Sequence, residues 1–319
     1  MAPGAWTRNA LAATLAIGLL LVASPATGQD FTVIGTDLQK RVNGALAMMQ
    51  YSVAPDVTTS SISITSQEGD TNGMFMTQLG GGFTWSRSVP LYLEGNAAYS
   101  RYDPVFIVSD GAAQRPVPVK WNSLVGTVGI GWDFPIAREL VLRPIANFTL
   151  GRVTSDLKFA GRVIEGATGR QIEFLENGKL DAVGYGGSLM LDYEHYRESH
   201  ETDVEVRVTD VHLESFGGTS EAVEGSARSQ SLGLWSRWRA PTGLRSQDRP
   251  VRYVLEYAFT HYFGPDGEML GFNNLNSVGA GLELDTGAWD TVFSRVRLIG
   301  RYRFGQNVSG WGVGLGISF

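Results

Sequence analysis

The sequence predicts an all-β protein: a closed antiparallel transmembrane β-barrel of about twelve strands, with an N-terminal α-helix inside the lumen. Three observations carry this. First, the chain ends "SGWGVGLGISF", where Trp311, Val313, Leu315, Ile317 and Phe319 sit two apart and Gly310, Gly312, Gly314, Gly316 and Ser318 fill the gaps. Successive strand side chains point to opposite faces, so one face is apolar and the other nearly bare. Second, the same period of two recurs from about Ser60 onward, often in runs of ten residues or more, where strands of soluble sandwiches run about 5–6. Third, the connections alternate between short and long, as they do at the two rims of a membrane barrel.

The elements follow in order. Arg8, the apolar run "LAATLAIGLLLV" and the small-residue stretch "ASPATG" make residues 1–28 a signal peptide, with cleavage expected after Gly28 and after Ala26 as the second choice. Its apolar core is too short for the ~20 residues of a spanning helix. Residues 29–56 form an N-terminal segment. Within it, Leu38, Val42, Ala45, Leu46 and Met49 fall at helical spacing, which predicts an amphipathic helix over about 36–50. Thr36 or Asp37 caps it, Gly44 is its weak point, and Pro55 ends any continuation.

Residues 57–319 form the barrel. The predicted strands are "SSISIT", "MFMTQLGGGFTW", "PLYLEGNAAYSRY", "NSLVGTVGIGW", "ELVLRPIANFTL", "AVGYGGSLMLDY", "DVEVRVTDVHL", "SQSLGLWSRW", "VRYVLEYAFTHYF", "NSVGAGLEL", "SRVRLIGRYRF" and the terminal strand. The seventh slips phase near Asp210, as a bulge would make it. Pro144 lies inside the fifth, where it removes a ladder donor and marks a bulge or a break. "SRSVP", "DFPIARE", "HYRESHE" and "DTGAWD" are the short connections; "APTGLRSQDRP" is long on the short side, and "FGQNV" short on the long side. Closure is expected because hydrocarbon leaves no partner for an open sheet edge. Trp85, Tyr99, Trp132, Tyr193, Trp235, Trp238, Phe263, Tyr302 and Trp311 lie near strand ends or in outward phase, where aromatic girdles form.

Composition excludes several classes. There are no cysteines, hence no disulfides, thiolate metal sites or cysteine nucleophiles. The net charge of -6 and the lack of a dense Lys/Arg run argue against a nucleic-acid partner. The forty glycines follow no collagen repeat. No cofactor is expected.

Chemistry is sparse. His195 and His200 share "EHYRESHE" with Glu194, Glu198 and Glu201, which reads better as a solvated turn than as a metal site. His261 falls in outward phase between Phe259 and Phe263, and reads as an interfacial residue rather than a general base. The most distinctive polar set is "SRVRLIGRYRF": Arg295, Arg297, Arg301 and Arg303 face inward, with Glu256 and Glu283 inward on the two preceding strands, and Glu205 and Arg207 further round. Rings of arginine select anions. With acids on neighbouring strands, an ion-pair network bracing the lumen is the preferred reading.

A final aromatic on an alternating last strand resembles the assembly signal of bacterial outer-membrane barrels. The segment "GRYRFGQNVSGWGVGLGISF", with a short helix ahead of about twelve strands, resembles the autotransporter translocator domain. More narrowly it is similar to solitary autotransporter-like barrels that lack a passenger. The resemblance runs from about Thr36 to the end of the chain. It implies the outer membrane of a Gram-negative bacterium, with both barrel termini periplasmic. It implies two partners: outer-membrane lipid, and an insertion machinery that reads Trp311, Val313, Leu315, Ile317 and Phe319. The sequence departs from self-secreting members. Only residues 29–35 separate the expected cleavage site from the helix, and Asn43 is followed by Gly44 where a paired asparagine would be cut.

The expected function is therefore a non-enzymatic barrel plugged by its helix. The alternatives are a porin-like channel for small anionic solutes and an outer-membrane barrel hydrolase. Inward glycines on several strands are expected to make room for the helix, with Leu38, Val42 and Leu46 on the glycine side.

Overall fold

A computed structural model describes residues 32–33, 46, 49, 52–53, 59–66, 74–102, 105–109, 114–118, 120–155, 179–216, 225–264, 272–285, 294–306 and 308–318. The expected signal peptide lies outside the described residues. So does Phe319.

The strands, in chain order, are β1 (Thr32–Val33), β2 (Thr59–Ser66), β3 (Met74–Thr84), β4 (Leu91–Tyr102), β5 (Val105–Ser109), β6 (Gln114–Pro118), β7 (Trp121–Trp132), β8 (Phe134–Ala137), β9 (Leu140–Ser155), β10 (Lys179–Tyr196), β11 (Glu201–Phe216), β12 (Ser226–Ser246), β13 (Arg249–Phe263), β14 (Asn274–Asp285), β15 (Arg295–Gly305) and β16 (Val308–Ser318). Twelve of these, β2–β4, β7 and β9–β16, correspond one for one to the predicted strands. They form an antiparallel meander in which β16 pairs back onto β2, Leu315 opposite Thr59. The first barrel strand therefore starts, and the last ends, at the rim of short turns.

Closure is corrected. The sheet curls through 278° and its edges stand 9 Å apart, so it is an open, strongly curled half-barrel rather than the closed barrel expected. The edges in the strand order are β8 and β10, and both flank β9. β8 pairs with the Leu140–Leu142 end of β9 on one side, and β10 ladders along β9 on the other. The expected helix in the lumen is not part of the described fold. Of Leu38, Val42 and Leu46, only Leu46 is described; it and Met49 are helical and buried, but two positions define no helix.

The outer face is apolar. Leu79, Leu124, Val128, Ile130, Phe148, Leu150, Leu255, Leu298, Val313 and Leu315 are all exposed and form an apolar outward band. No helix among the described residues is long and apolar enough to cross a membrane. β3, β4, β7, β14, β15 and β16 have 11 or 12 residues, close to the ~9–11 that cross hydrocarbon at a tilt. β12 has 21 and extends past the band.

Two local expectations change. Register runs unbroken through Asp210 in both its ladders, so β11 has no bulge there. Val211 and Leu213 instead face inward, fully buried, while Asp210 faces outward to Arg228 at 2.6 Å. Trp235 also faces inward, in register with Glu205. Pro144 causes neither break nor register shift: the β7 ladder ends at Gly131 opposite Ile145, the β8 ladder begins at Phe134 opposite Leu142, and Pro144 falls in the gap. On its other side the β10 ladder runs on through Pro144, opposite Leu189.

Candidate functional site

The concave face is the candidate site, because every inward side chain converges there. Alternation fixes which residues these are, and the registers fix their heights. At the rim of short turns the face is ionic. Glu201 and Asp203 on β11 meet Arg237 and Arg239 on β12, Arg252 on β13, Glu283 on β14, and Arg295 and Arg297 on β15. Arg295 reaches Glu201 at 2.6 Å and Glu283 at 3.7 Å. Arg239 lies 3.0 Å from both Glu201 and Asp203 and 3.6 Å from Glu283. Arg237 contacts Asp203 at 2.8 Å, Arg297 lies 3.3 Å from Glu283, and Arg252 pairs closely with Glu201. Glu283 has no exposed side-chain surface. The cluster ties β11 to β15 across three intervening strands.

Three further ionic links line the same face. Arg207 donates both terminal nitrogens to Glu94, at 2.8 and 2.7 Å. This fork spans from β11 to β4, and Ser188 and Asn147 on the strands between close it by hydrogen bonds of 2.7–2.8 Å. Arg143 pairs with Asp133, lies 3.0 Å from Asp192, and rests 3.9 Å over the Tyr92 ring. Thr84 donates to Asp133 at 2.6 Å. Arg301 reaches past β14 to Glu256 at 2.6 Å.

Toward the rim of long loops the face becomes apolar. Val125, Val153, Leu180, Ala182, Val211 and Leu213 are buried there. Leu46, Met49 and Val53 are buried as well. The Met49 sulfur sits where a Cβ on Gly151 would lie, 2.6 Å from that position. Ser52 donates to the Met76 sulfur, and the Asn96 side chain donates to the Ser52 carbonyl.

Several inward glycines lie under large side chains from other strands. Above Gly314 lies the Arg301 guanidinium, and above Gly316 the Arg297 stem. Gly129 is covered by Glu94 and Asn147, Gly184 by Leu213, and Gly279 by Ile299, Arg301 and Glu256. Each is a seat for a large side chain from another strand. Gly151 meets Met49 of the N-terminal segment.

All eight residues predicted for the network face inward. Arg207, Glu256, Glu283, Arg295, Arg297 and Arg301 enter the ion pairs above; Arg303 is engaged at the same face, and Glu205 faces Trp235. Sequence reasoning missed Glu94, Asp133, Asp192, Glu201, Asp203, Arg237, Arg239 and Arg252. Their inward phase was legible, but which acid meets which base depends on strands far apart in sequence. Trp311, Val313, Leu315 and Ile317 lie exposed on the outer face.

At the outer edge of the short turns, His195 Nδ1 lies 2.8 Å from Glu139, and Arg197 lies 3.1 Å from it. These contacts hold the Glu139 carboxyl below the usual range, the His195 hydrogen bond being the larger cause. His200 bonds Ser199 at 3.0 Å. Among the described residues no group of three His, Cys, Asp or Glu side chains has metal-site geometry. His261 bonds Asn274 at 2.7 Å and meets the Phe263 ring edge-on.

The chain matches no protein-family model and no curated relative. Solved structures do resemble it. The β domain of the Bordetella autotransporter BrkA is 14% identical, with TM-score 0.46 and coverage of 82% of this chain and 97% of that one. The transport unit of the autotransporter AIDA-I from Escherichia coli is 13% identical, with TM-score 0.49 and coverage of 89% and 100%. The KdgM porin is 9% identical, with TM-score 0.35 and coverage of 82% and 99%.

Proposed function

We propose that this chain is a non-enzymatic outer-membrane protein of the autotransporter-translocator type, and that its interior is braced and occluded rather than an open conduit. Its apolar outer face needs lipid, and its last strand is read by the insertion machinery of a Gram-negative outer membrane. The rim of short turns, where the barrel strands begin and end, faces the periplasm.

One observation carries the occluded reading. Eight inward arginines, at 143, 207, 237, 239, 252, 295, 297 and 301, each meet a carboxylate from another strand. An anion-selective pore needs arginines that offer charge to the solute. Here the charge is already neutralised, and the paired side chains cross the interior as struts. The buried Leu46, Met49, Ser52 and Val53 fill more of the same space.

Planar-bilayer recording on the refolded mature chain tests this. Little or no steady conductance is expected. A large, steady, anion-preferring conductance would overturn the occluded reading in favour of a diffusion channel. A lipid- or peptide-hydrolysing activity lost on His261→Ala would overturn the non-enzymatic one.

A further inference from the structure

The long connection between β4 and β7 is not plain loop. β5 and β6 pair as an antiparallel hairpin, Val105 opposite Pro118 through Ser109 opposite Gln114. A third strand lies on this hairpin: Thr32 pairs with Ser109 and Val33 with Val108, antiparallel. The three form a small sheet of their own, in the order β1-β5-β6. The hairpin rises from the rim of long loops, because β4 and β7 end there with Tyr102 opposite Trp121.

The two edges of the hairpin are unlike. β6 reads "QRPVP", with prolines two residues apart at 116 and 118. Residues two apart present their N–H groups to the same side of a strand. β6 therefore lacks two donors on one side and is a poorer template for pairing than β5. β5 reads "VFIVS", with no proline and three β-branched residues. Left bare, such an edge invites any extended chain. It is the β5 edge, not the β6 edge, that carries β1.

We propose that the β5 edge is a strand-acceptor site, and that its resident ligand is the chain's own segment around Thr32–Val33. The recognition is β-augmentation: main-chain hydrogen bonds hold an extended, β-branched segment in register. The sequence beside β1 suits it, since Phe31 and Ile34 flank Thr32 and Val33 with strand-forming residues. The result is a clip that fastens the segment preceding the barrel to the rim of long loops. The clip also masks the one edge of the hairpin that would otherwise pair with a second molecule.

The absence of cysteine from the chain makes the test direct. Two registered pairs are introduced separately into the full chain: Thr32→Cys with Ser109→Cys, and Val33→Cys with Val108→Cys. The control is Thr32→Cys with Gln114→Cys, in which β5 lies between the two positions. A disulfide needs Cα atoms about 4.4–6.8 Å apart, so the registered pairs should give at least about ten times more crosslink than the control. Each variant is scored in protein that has folded, judged by heat-modifiable mobility. A crosslink in at least one registered pair, reversed by reductant and absent from the control, supports the clip. No crosslink in either registered pair overturns it, as does a control that crosslinks equally well. Neither outcome depends on whether the interior conducts, so the test separates this inference from the occluded reading.

Discussion

The two halves of the concave face solve one problem by opposite means. Near the short turns, Glu201, Asp203, Glu283 and five arginines fill the space with paired charge. Near the long loops, Leu180, Val211, Leu213 and Val153 fill it with hydrocarbon, against Leu46 and Met49. The ionic half is held by specific partners across three or four strands, and each partner left alone is a buried charge. The apolar half is held by contact with whatever lies nearest, and its losses scale with the hole made. The first half should therefore fail sharply when one member is removed. The second should yield by degrees.

The largest effect is expected at Glu201, which accepts from Arg239, Arg252 and Arg295. Removing one partner of a buried pair costs about 3–5 kcal/mol, because the charge left behind keeps its desolvation penalty. Glu201→Gln should lower the stability of the refolded protein by that order in urea titrations in detergent. Next comes Leu213→Ala in the apolar half, at about 2–4 kcal/mol. If Leu213→Ala is the more damaging of the two, the contrast drawn between the halves is wrong. Gly184 offers a sharper version, since a Cβ there would press on the Leu213 side chain. Gly184→Ala should be less harmful in a Leu213→Ala background than alone, because the hole takes the added methyl.

How much of this was legible in the sequence follows from the same contrast. The alternation rule located all twelve of these strands, and assigned the inward face of β15, β14 and β13 correctly, because apolar residues on one side and charge on the other make the pattern plain. It stumbled at Asp210. There the outer face turns polar, while the inner face turns apolar. The pattern inverts with no change in the backbone, and inversion looks like a bulge. Trp235 misled for a related reason: an aromatic was read as a girdle residue, but it stacks inside, 4.8 Å from the Arg237 guanidinium. The pairing of Arg207 with Glu94 was beyond reach, since 113 residues separate them and only the curl of the sheet brings them together. Curl is also what the expectation of closure overstated. The sequence demands partners for every strand edge, and it does not say how completely the sheet must turn to supply them.

A smaller effect tests what the glycines are for. Arg301 lies over Gly314 while its guanidinium holds Glu256. Gly314→Leu should push Arg301 aside and cost about 1–3 kcal/mol, the usual range for overpacking. In an Arg301→Ala background the same substitution should cost clearly less, because the seat is empty. Equal costs in both backgrounds would mean that Gly314 serves something other than Arg301, and the ionic half would lose one of its stated supports.

The smallest effect separates ion pairs inside from one at the surface of the same rim. Glu139 has φ of 68°, in the left-handed region that few residues other than glycine, asparagine and aspartate adopt readily. Its carboxylate is nevertheless used, accepting from His195 on β10 and Arg197 in the next turn. Because the folded state holds this carboxyl below its ordinary value, chiefly through the His195 hydrogen bond and then through Arg197, the sign is fixed. The contribution is complete above the ordinary glutamate value of about 4.3. It is lost as pH falls through the lowered folded-state value. Water screens the site, so the global stability should hardly move. The readout must be local: amide exchange in the turns at 137–140 and 196–200, compared between pH 6 and pH 3. Protection there, corrected for the intrinsic slowing of amide exchange in acid, should fall at pH 3 in the native protein. Glu139→Asn keeps a residue suited to the left-handed region and removes the titrating group, so its protection should already be lower at pH 6 and change little on acidification. If Glu139→Asn retains the full acid response, the two short turns are coupled by something other than this carboxylate, and the surface pairs at this rim contribute nothing that distinguishes them from solvent.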